Sequence, residues 1–181
     1  MASSYNNNLD YGDIFSTLCY LKKPKKIVEI GILNGFSLKI MANNVSSDCI
    51  INAYDIFNEF NGNSADLQKI TDMFSNYTNV TIEYGDFYKI HDILKPNSVD
   101  ILHIDIANDG DIYNFAVVNY MNKLTDGGVL VLEGGSIERD HVPWMIKYNK
   151  VGIKSVVEQL SDKYSINTIG KVPSLTFITH K

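Results

Sequence analysis

The chain has 181 residues, 45% of them hydrophobic and 20% charged, which suits one packed globular core and leaves no room for two large domains. Sixteen basic residues against twenty-one acidic ones give a net charge of −5. That balance argues against a nucleic-acid binder, which needs a basic surface to neutralise phosphates.

In chain order, apolar spacing over Leu9 to Leu21 predicts a helix with Ile14, Leu18 and Leu21 on one face, stopped by Pro24. Lys26 to Gly31 reads as a strand, Phe36 to Asn44 as a helix, and Cys49 to Asp55 as a second strand. Ser64 is a plausible N-cap for a helix carrying Leu67, Ile70, Phe74 and Tyr77. Strands follow at Val80 to Tyr84 and at Val99 to Asp105. The next helix bears Tyr113, Val117, Tyr120, Met121 and Leu124, and Asp126-Gly127-Gly128 reads as a turn before a fifth strand, Val129 to Glu133. After an irregular segment comes a helix with Ile153, Val156, Val157 and Leu160. The last two strands, Ile166 to Ile169 and Ser174 to Thr179, are separated only by Gly170 to Pro173. No crossover helix fits in that gap, so this pair must be antiparallel. Repeated β-α units ending in a hairpin define an α/β fold with a mostly parallel sheet.

The two cysteines, Cys19 and Cys49, lie in apolar runs and read as buried free thiols, as expected in a reducing compartment. No run approaches the ~18 apolar residues of a membrane span. Residues 1–8 are polar and lack a signal-peptide apolar segment. The expectation is a cytoplasmic protein with neither membrane nor nucleic acid as partner.

In an open α/β sheet, ligands bind beyond the carboxyl ends of the strands. Here those ends carry Glu29 with Gly31 and Gly35, then Asp55, then Gly85-Asp86-Phe87, then Asp105 followed by Asp109 and Asp111, and finally Glu133-Gly134-Gly135. Each presents an acid or a glycine turn. The first loop is spaced G-x-x-x-G, not the G-x-G-x-x-G that cradles a dinucleotide pyrophosphate. Taken alone, two glycines here also suit an ordinary strand-to-helix turn. Asp55 is placed to accept from a ribose diol, or to be a solvated strand-end acid.

The run Val28-Glu29-Ile30-Gly31-Ile32-Leu33-Asn34-Gly35-Phe36-Ser37 resembles motif I of the class I S-adenosylmethionine-dependent methyltransferases. It is most similar to the E-x-G-x-x-x-G-x-S form of small O-methyltransferases of the catechol and caffeoyl-CoA kind. The resemblance runs from about Lys26 to the C-terminus. It implies a Rossmann-like three-layer sandwich with a seven-stranded, mostly parallel sheet and a C-terminal antiparallel hairpin. It divides the chain into an N-terminal helical segment, residues 1–25, and a cofactor-binding domain, residues 26–181. It implies S-adenosylmethionine as cofactor. Glu29, Gly31 and Gly35 then lie against its methionine and ribose, Ser37 opens the helix that meets its carboxylate, and Asp55 takes the ribose diol. Asp86 accepts from the adenine amino group with Phe87 beside the ring. Phe57 packs near the adenine or in the core, and Asp105 stands near the methyl donor.

The metal-dependent branch of that family holds a divalent cation with the strand-four Asp and an Asp-Asn pair after strand five. Here strand five ends Glu133-Gly134, so Asp105, Asp109 and Glu133 are the carboxylates that remain for Mg²⁺. His141, beside Asp140, is the candidate general base, or an exposed loop histidine; Asp105 is the other candidate catalytic residue. His103 reads as a packed strand residue. His91 and His180 have no metal-like spacing. Trp144 and Tyr148, four residues apart, wall a pocket or belong to the core. Arg139, the one arginine among the sixteen basic residues, is a candidate acceptor-binding group or a surface charge. The expected activity is methyl transfer to a small-molecule acceptor, at oxygen, by a chain that can form a homo-oligomer. The alternatives are a non-catalytic methyltransferase-like binding protein and an NAD-dependent α/β enzyme.

Overall fold

Stretches of apolar β-branched residues bounded by polar turns become the strands, and the segments between them become helices. The computed structural model describes residues 9–59, 63 and 65–181. Its seven strands belong to a mostly parallel sheet with a C-terminal antiparallel pair, flanked by helices. The chain divides into two units, the first ending at Ile93 and the second beginning at Leu94.

The first unit contains α1 (Leu9–Lys22), β1 (Lys26–Ile30), α2 (Phe36–Asn43), β2 (Ile50–Asp55), α3 (Leu67–Met73), β3 (Val80–Tyr84) and α4 (Phe87–Ile93). Its strands run in the order β3-β2-β1, all parallel, with Val28 opposite Asn52 and Asn52 opposite Thr81. β1 is buried on both faces from Ile27 to Ile30, as expected of a parallel strand with covered faces. Phe15 of α1, Leu38 and Met41 of α2, and Ile51 of β2 are fully enclosed. Each such side chain contributes roughly 1.5–3 kcal/mol by leaving water. Ser64 and the polar N-terminal residues 1–8 lie outside the described residues. The side chain that caps α3 is Asp66, whose carboxylate accepts from the Lys69 N–H at 3.0 Å. α3 ends at Met73, so Phe74 and Tyr77 lie beyond the helix predicted to carry them. α4 was not evident from the sequence.

The second unit contains β4 (Val99–Ile104), α5 (Gly110–Tyr120), β5 (Leu124–Glu133), α6 (Ile137–Asp140), α7 (Pro143–Lys147), α8 (Ile153–Leu160), β6 (Tyr164–Gly170) and β7 (Ser174–His180). The strand order is β4-β5-β7-β6; β4 and β5 are parallel, and β7 is antiparallel to both of its neighbours. The predicted hairpin is therefore present. Two boundaries differ most from the prediction. α5 stops at Tyr120, and Leu124 starts β5 instead of ending the helix. Asp126-Gly127-Gly128 lies inside β5, at a register irregularity opposite Val99 to Ile101, instead of forming a turn before it. A bulge of this kind absorbs extra residues while the strand continues. Tyr113 and Tyr120 of α5 are fully buried, and α8 turns Ile153, Val156 and Val157 inward.

Candidate functional site

In the first unit, β1 delivers the chain into a tight loop. Gly31 has φ 94° and its N–H donates to the Tyr54 carbonyl at 2.8 Å. Gly35 has φ 76°, and a Cβ there would meet the Phe74 ring at 3.0 Å. Both the left-handed backbone and the close ring require glycine. α2 then starts with no side chain capping its first turn. Glu29, fully buried in β1, accepts a hydrogen bond from the Ser37 hydroxyl of α2. Two residues singled out for the cofactor loop thus hold each other. Midway along the loop, Asn34 Oδ1 is buried and has no hydrogen-bond partner among the described residues.

Asp55, at the end of β2, is 5% exposed and organises this loop. Its Oδ2 accepts from the N–H of Ile32 at 2.7 Å and of Leu33 at 3.1 Å. Its Oδ1 accepts from the N–H of Phe57 and the side-chain amide of Asn63, both at 2.7 Å. Four donors occupy the four lone-pair positions of a carboxylate. The residue expected to take a ribose diol is therefore engaged as a clamp between two loops, and a diol would compete for the same oxygens. Leu33 and Phe57, two of its donors, are non-glycine residues at φ 49° and 50°. Such a backbone costs of order 1–3 kcal/mol each unless its surroundings hold it, and the shared carboxylate supplies that hold.

Asp86 is half-buried after β3. Its carboxylate accepts from the Tyr88 N–H at 2.9 Å and faces the Lys89 ammonium at 3.7 Å. Phe87 is buried, with the Tyr88 ring edge-on at 5.0 Å, and Phe57 is buried as well. Gly31, Gly35, Ser37, Glu29 and Asp55 thus form one connected constellation, while Asp86 and Phe87 sit at the start of α4.

In the second unit, the segment after β5 folds back on the strand ends. Gly134 and Gly135 have φ 104° and 105°. Space is as tight as the backbone at Gly135, where a Cβ would fall 2.0 Å from Thr176 Oγ1. Ser136 caps α6 by accepting from the Arg139 N–H at 3.1 Å. Arg139 is buried and meets Glu133 fork to fork, Nε to Oε1 at 2.7 Å and Nη2 to Oε2 at 2.8 Å. Nη2 also reaches the Asn108 carbonyl at 3.3 Å, and Trp144 lies 5.0 Å over the guanidinium carbon. Burial opposes the guanidinium charge, but the hydrogen bond and charge of Glu133, helped by Tyr113 and Asp105, push its pKa up. Asn108 ties the ends of β4 and β5, donating to the Ile104 and Glu133 carbonyls at 3.0 and 2.9 Å. Asp109 caps α5 through the Ile112 N–H at 3.0 Å and pairs with Lys150 at 2.8 Å. Asp140 accepts from the N–H groups of Ile153 and Lys154 at 2.7 and 2.9 Å, fastening the start of α8.

These contacts correct several expectations. Arg139 is a buried partner of Glu133, not a surface charge. Asp105, Asp109 and Glu133 do not assemble into an Mg²⁺ site: among the described residues no three His, Cys, Asp or Glu side chains are placed to hold a metal ion. The physical reason is that Glu133 is spent on Arg139 and Asp109 on a helix cap and Lys150. Asp105 sits half-buried just past β4. His141 is exposed, with its Nδ1 donating to the Ile137 carbonyl at 2.7 Å. His103 is fully buried, as a packed strand residue should be, and His180 donates from Nε2 to the Met121 carbonyl at 3.0 Å. Tyr148 is exposed, so it is not core, whereas Trp144 packs on Arg139. Sequence reasoning missed Asn108 and the Asp140 clamp. The only sequence signal for either was a short polar residue beside a strand end or helix start.

Comparison with known proteins places this geometry. A family model described as a methyltransferase domain matches residues 28–133, from β1 to the end of β5 and more than half of the chain. No curated protein matches it. Among solved structures, an O-methyltransferase from Bacillus cereus in complex with S-adenosylhomocysteine superimposes with a TM-score of 0.70 at 15% identity, covering 95% of this chain and 81% of that one. An O-methyltransferase from Streptomyces achromogenes, involved in tomaymycin synthesis and solved with S-adenosylmethionine, gives 0.69 at 17% identity, covering 95% and 80%. A methyltransferase from Geobacter sulfurreducens gives 0.65 at 15%, covering 94% and 78%. At these identities the likeness is one of fold, and it is the Rossmann-like sheet with the C-terminal hairpin that the sequence implies. The chain belongs to the methyltransferase-domain family and has the fold of the class I, O-methyltransferase-like members.

Proposed function

We propose that the chain is an S-adenosylmethionine-dependent methyltransferase that methylates a small acceptor at oxygen. The observation that carries this reading is the glycine loop of the first unit, clamped by Asp55 and opening onto the uncapped first turn of α2. A first helical turn of this kind offers main-chain N–H groups to a carboxylate. Asn34 Oδ1, buried and unmatched, suits a donor such as the cofactor's amino group. The G-x-x-x-G spacing does not suit a pyrophosphate, which counts against an NAD enzyme.

When bound, S-adenosylmethionine would supply an activated methyl group, which would pass to the acceptor's lone pair as the carbon–sulfur bond breaks with its electron pair left on sulfur. The protein's share is alignment. Glu29 and Ser37 tie the start of α2 to β1, and Asp55 holds the loop. The acceptor's proton leaves to Asp105, to His141 or to solvent. The buried thiols and the absence, among the described residues, of a helix able to cross a membrane agree with a cytoplasmic enzyme.

Calorimetric titration with S-adenosylmethionine, S-adenosylhomocysteine and NAD tests the reading. Both adenosyl ligands are expected to bind with unit stoichiometry and NAD not at all. Binding of NAD alone would sink it. A labelled-methyl assay across phenols, alcohols, carboxylic acids and amines then identifies the acceptor atom, and turnover confined to amines would refute the oxygen assignment.

A further inference from the structure

For its metal-dependent branch, the family resemblance implies a divalent cation held by strand-end carboxylates, and Glu133 ends β5 where one of them would stand. In this chain both oxygens of Glu133 are already engaged. Oε1 receives Nε of Arg139 and Oε2 receives Nη2, at 2.7 and 2.8 Å, with both side chains more than nine-tenths buried. A planar guanidinium and a carboxylate in this parallel arrangement form the strongest common type of ion pair. The same guanidinium bridges to the Asn108 carbonyl, feels Asp105, and is covered by Trp144. A divalent ion entering here would need Glu133 and would strand a buried, unpaired cation, which is strongly unfavourable. The charge of Glu133 is already balanced by a cation built into the chain.

We infer that Arg139 stands in for the divalent metal: methyl transfer by this chain is metal-independent, and Arg139 is a positioning residue that fixes the strand ends through Glu133 and Asn108. The inference rests on the methyltransferase reading. It also bounds the acceptor. Without a Lewis acid to lower the cost of deprotonating an alcohol, the acceptor is an oxygen that is already acidic, a carboxylate or a phenol. Arg139 Nη1, buried and with no hydrogen-bond acceptor among the described residues, leaves a donor beside the strand ends that suits an acceptor oxygen.

The test uses the full chain and has three arms. Titration of Mn²⁺, followed by the spectroscopic signal of free Mn²⁺, should show no saturable binding, and thermal unfolding should be the same in Mg²⁺ and in EDTA. One equivalent of Mn²⁺ bound saturably, and lost in Glu133→Gln, would overturn the inference. Calorimetry with S-adenosylhomocysteine on the same sample checks the underlying reading separately. If that ligand fails to bind, the methyltransferase reading falls and metal-independent transfer with it, while the Mn²⁺ arm still decides whether this corner holds a divalent ion. In the third arm, transfer to a panel of phenols, carboxylates and aliphatic alcohols should be unchanged by EDTA and confined to the first two classes. Stimulation by Mg²⁺ that EDTA reverses, or preference for aliphatic alcohols, would refute it.

Discussion

Asp55 carries more of the loop geometry than any other side chain in the first unit, since one carboxylate holds Leu33 and Phe57 in left-handed backbone. Asp55→Ala removes four charge-assisted hydrogen bonds and releases both strained residues, so a loss of roughly 2–4 kcal/mol is expected in urea unfolding. Affinity for S-adenosylhomocysteine should fall with it, because the loop loses its shape. Asp55→Asn retains the shape but not the charge, and its loss should be about half as large. A folded Asp55→Ala protein with unchanged stability would show that the loop holds itself. In the second unit, Glu133→Gln or Arg139→Met leaves one buried charge unpaired and should cost about 3–5 kcal/mol. The double variant should recover most of that loss, and a double-mutant cycle measures the difference. Burial pushes the Cys19 thiol up to about 12, so alkylation near neutral pH should be slow until the protein unfolds. The sign for stability follows from the same shift: the neutral thiol is favoured by the fold, so its contribution is intact below the unfolded-state value and is lost as pH rises toward about 12.

Among the elements, α8 shows how much depends on a distant cap. It begins at Gly152 with no side-chain cap of its own residue, and Asp140, from the preceding helix pair, supplies the acceptor instead. Asp140→Ala should cost about 1–2 kcal/mol and show first as faster amide exchange at Ile153 and Lys154. The long elements were legible because their patterns are. β1, β2, β3 and β4 are segments of five or six residues rich in Ile and Val, and α5 and α8 repeat apolar positions over two or more turns. α4, α6 and α7 have seven, four and five residues, too few for a helical period to stand out. Leu124 continues the apolar spacing of α5 and so reads as helix, yet the chain has already turned through a 3-10 segment at Met121–Lys123. The glycine pair at 127 and 128 reads as a turn because local preference cannot reveal that a parallel neighbour lets β5 bulge and continue.

For the molecule as a whole, the family was legible from one motif together with the acids at the strand ends, because spacing along the chain fixes both. How those acids are employed was not legible. Nothing in Glu133-Gly134-Gly135 announces that two left-handed glycines return the chain so that a residue six positions on can grip the carboxylate. A ligand that binds only the folded state stabilises it in proportion to the logarithm of its concentration over Kd. S-adenosylhomocysteine at ~100 times its Kd should therefore add about 2.7 kcal/mol and raise Tm, and NAD at the same concentration should leave Tm where it was.

The scarcity of arginine gives the second unit an unusual handle. A protease that cleaves only after arginine has a single target bond in the entire chain, Arg139–Asp140. That bond lies between the guanidinium that grips Glu133 and the carboxylate that fastens α8. Cutting it requires the post-β5 segment to leave the strand ends, so the digestion rate under native conditions measures how often that corner opens. With fifteen lysines untouched by such an enzyme, two fragments of fixed size report one local motion, and a ligand that settles against this corner should slow their appearance.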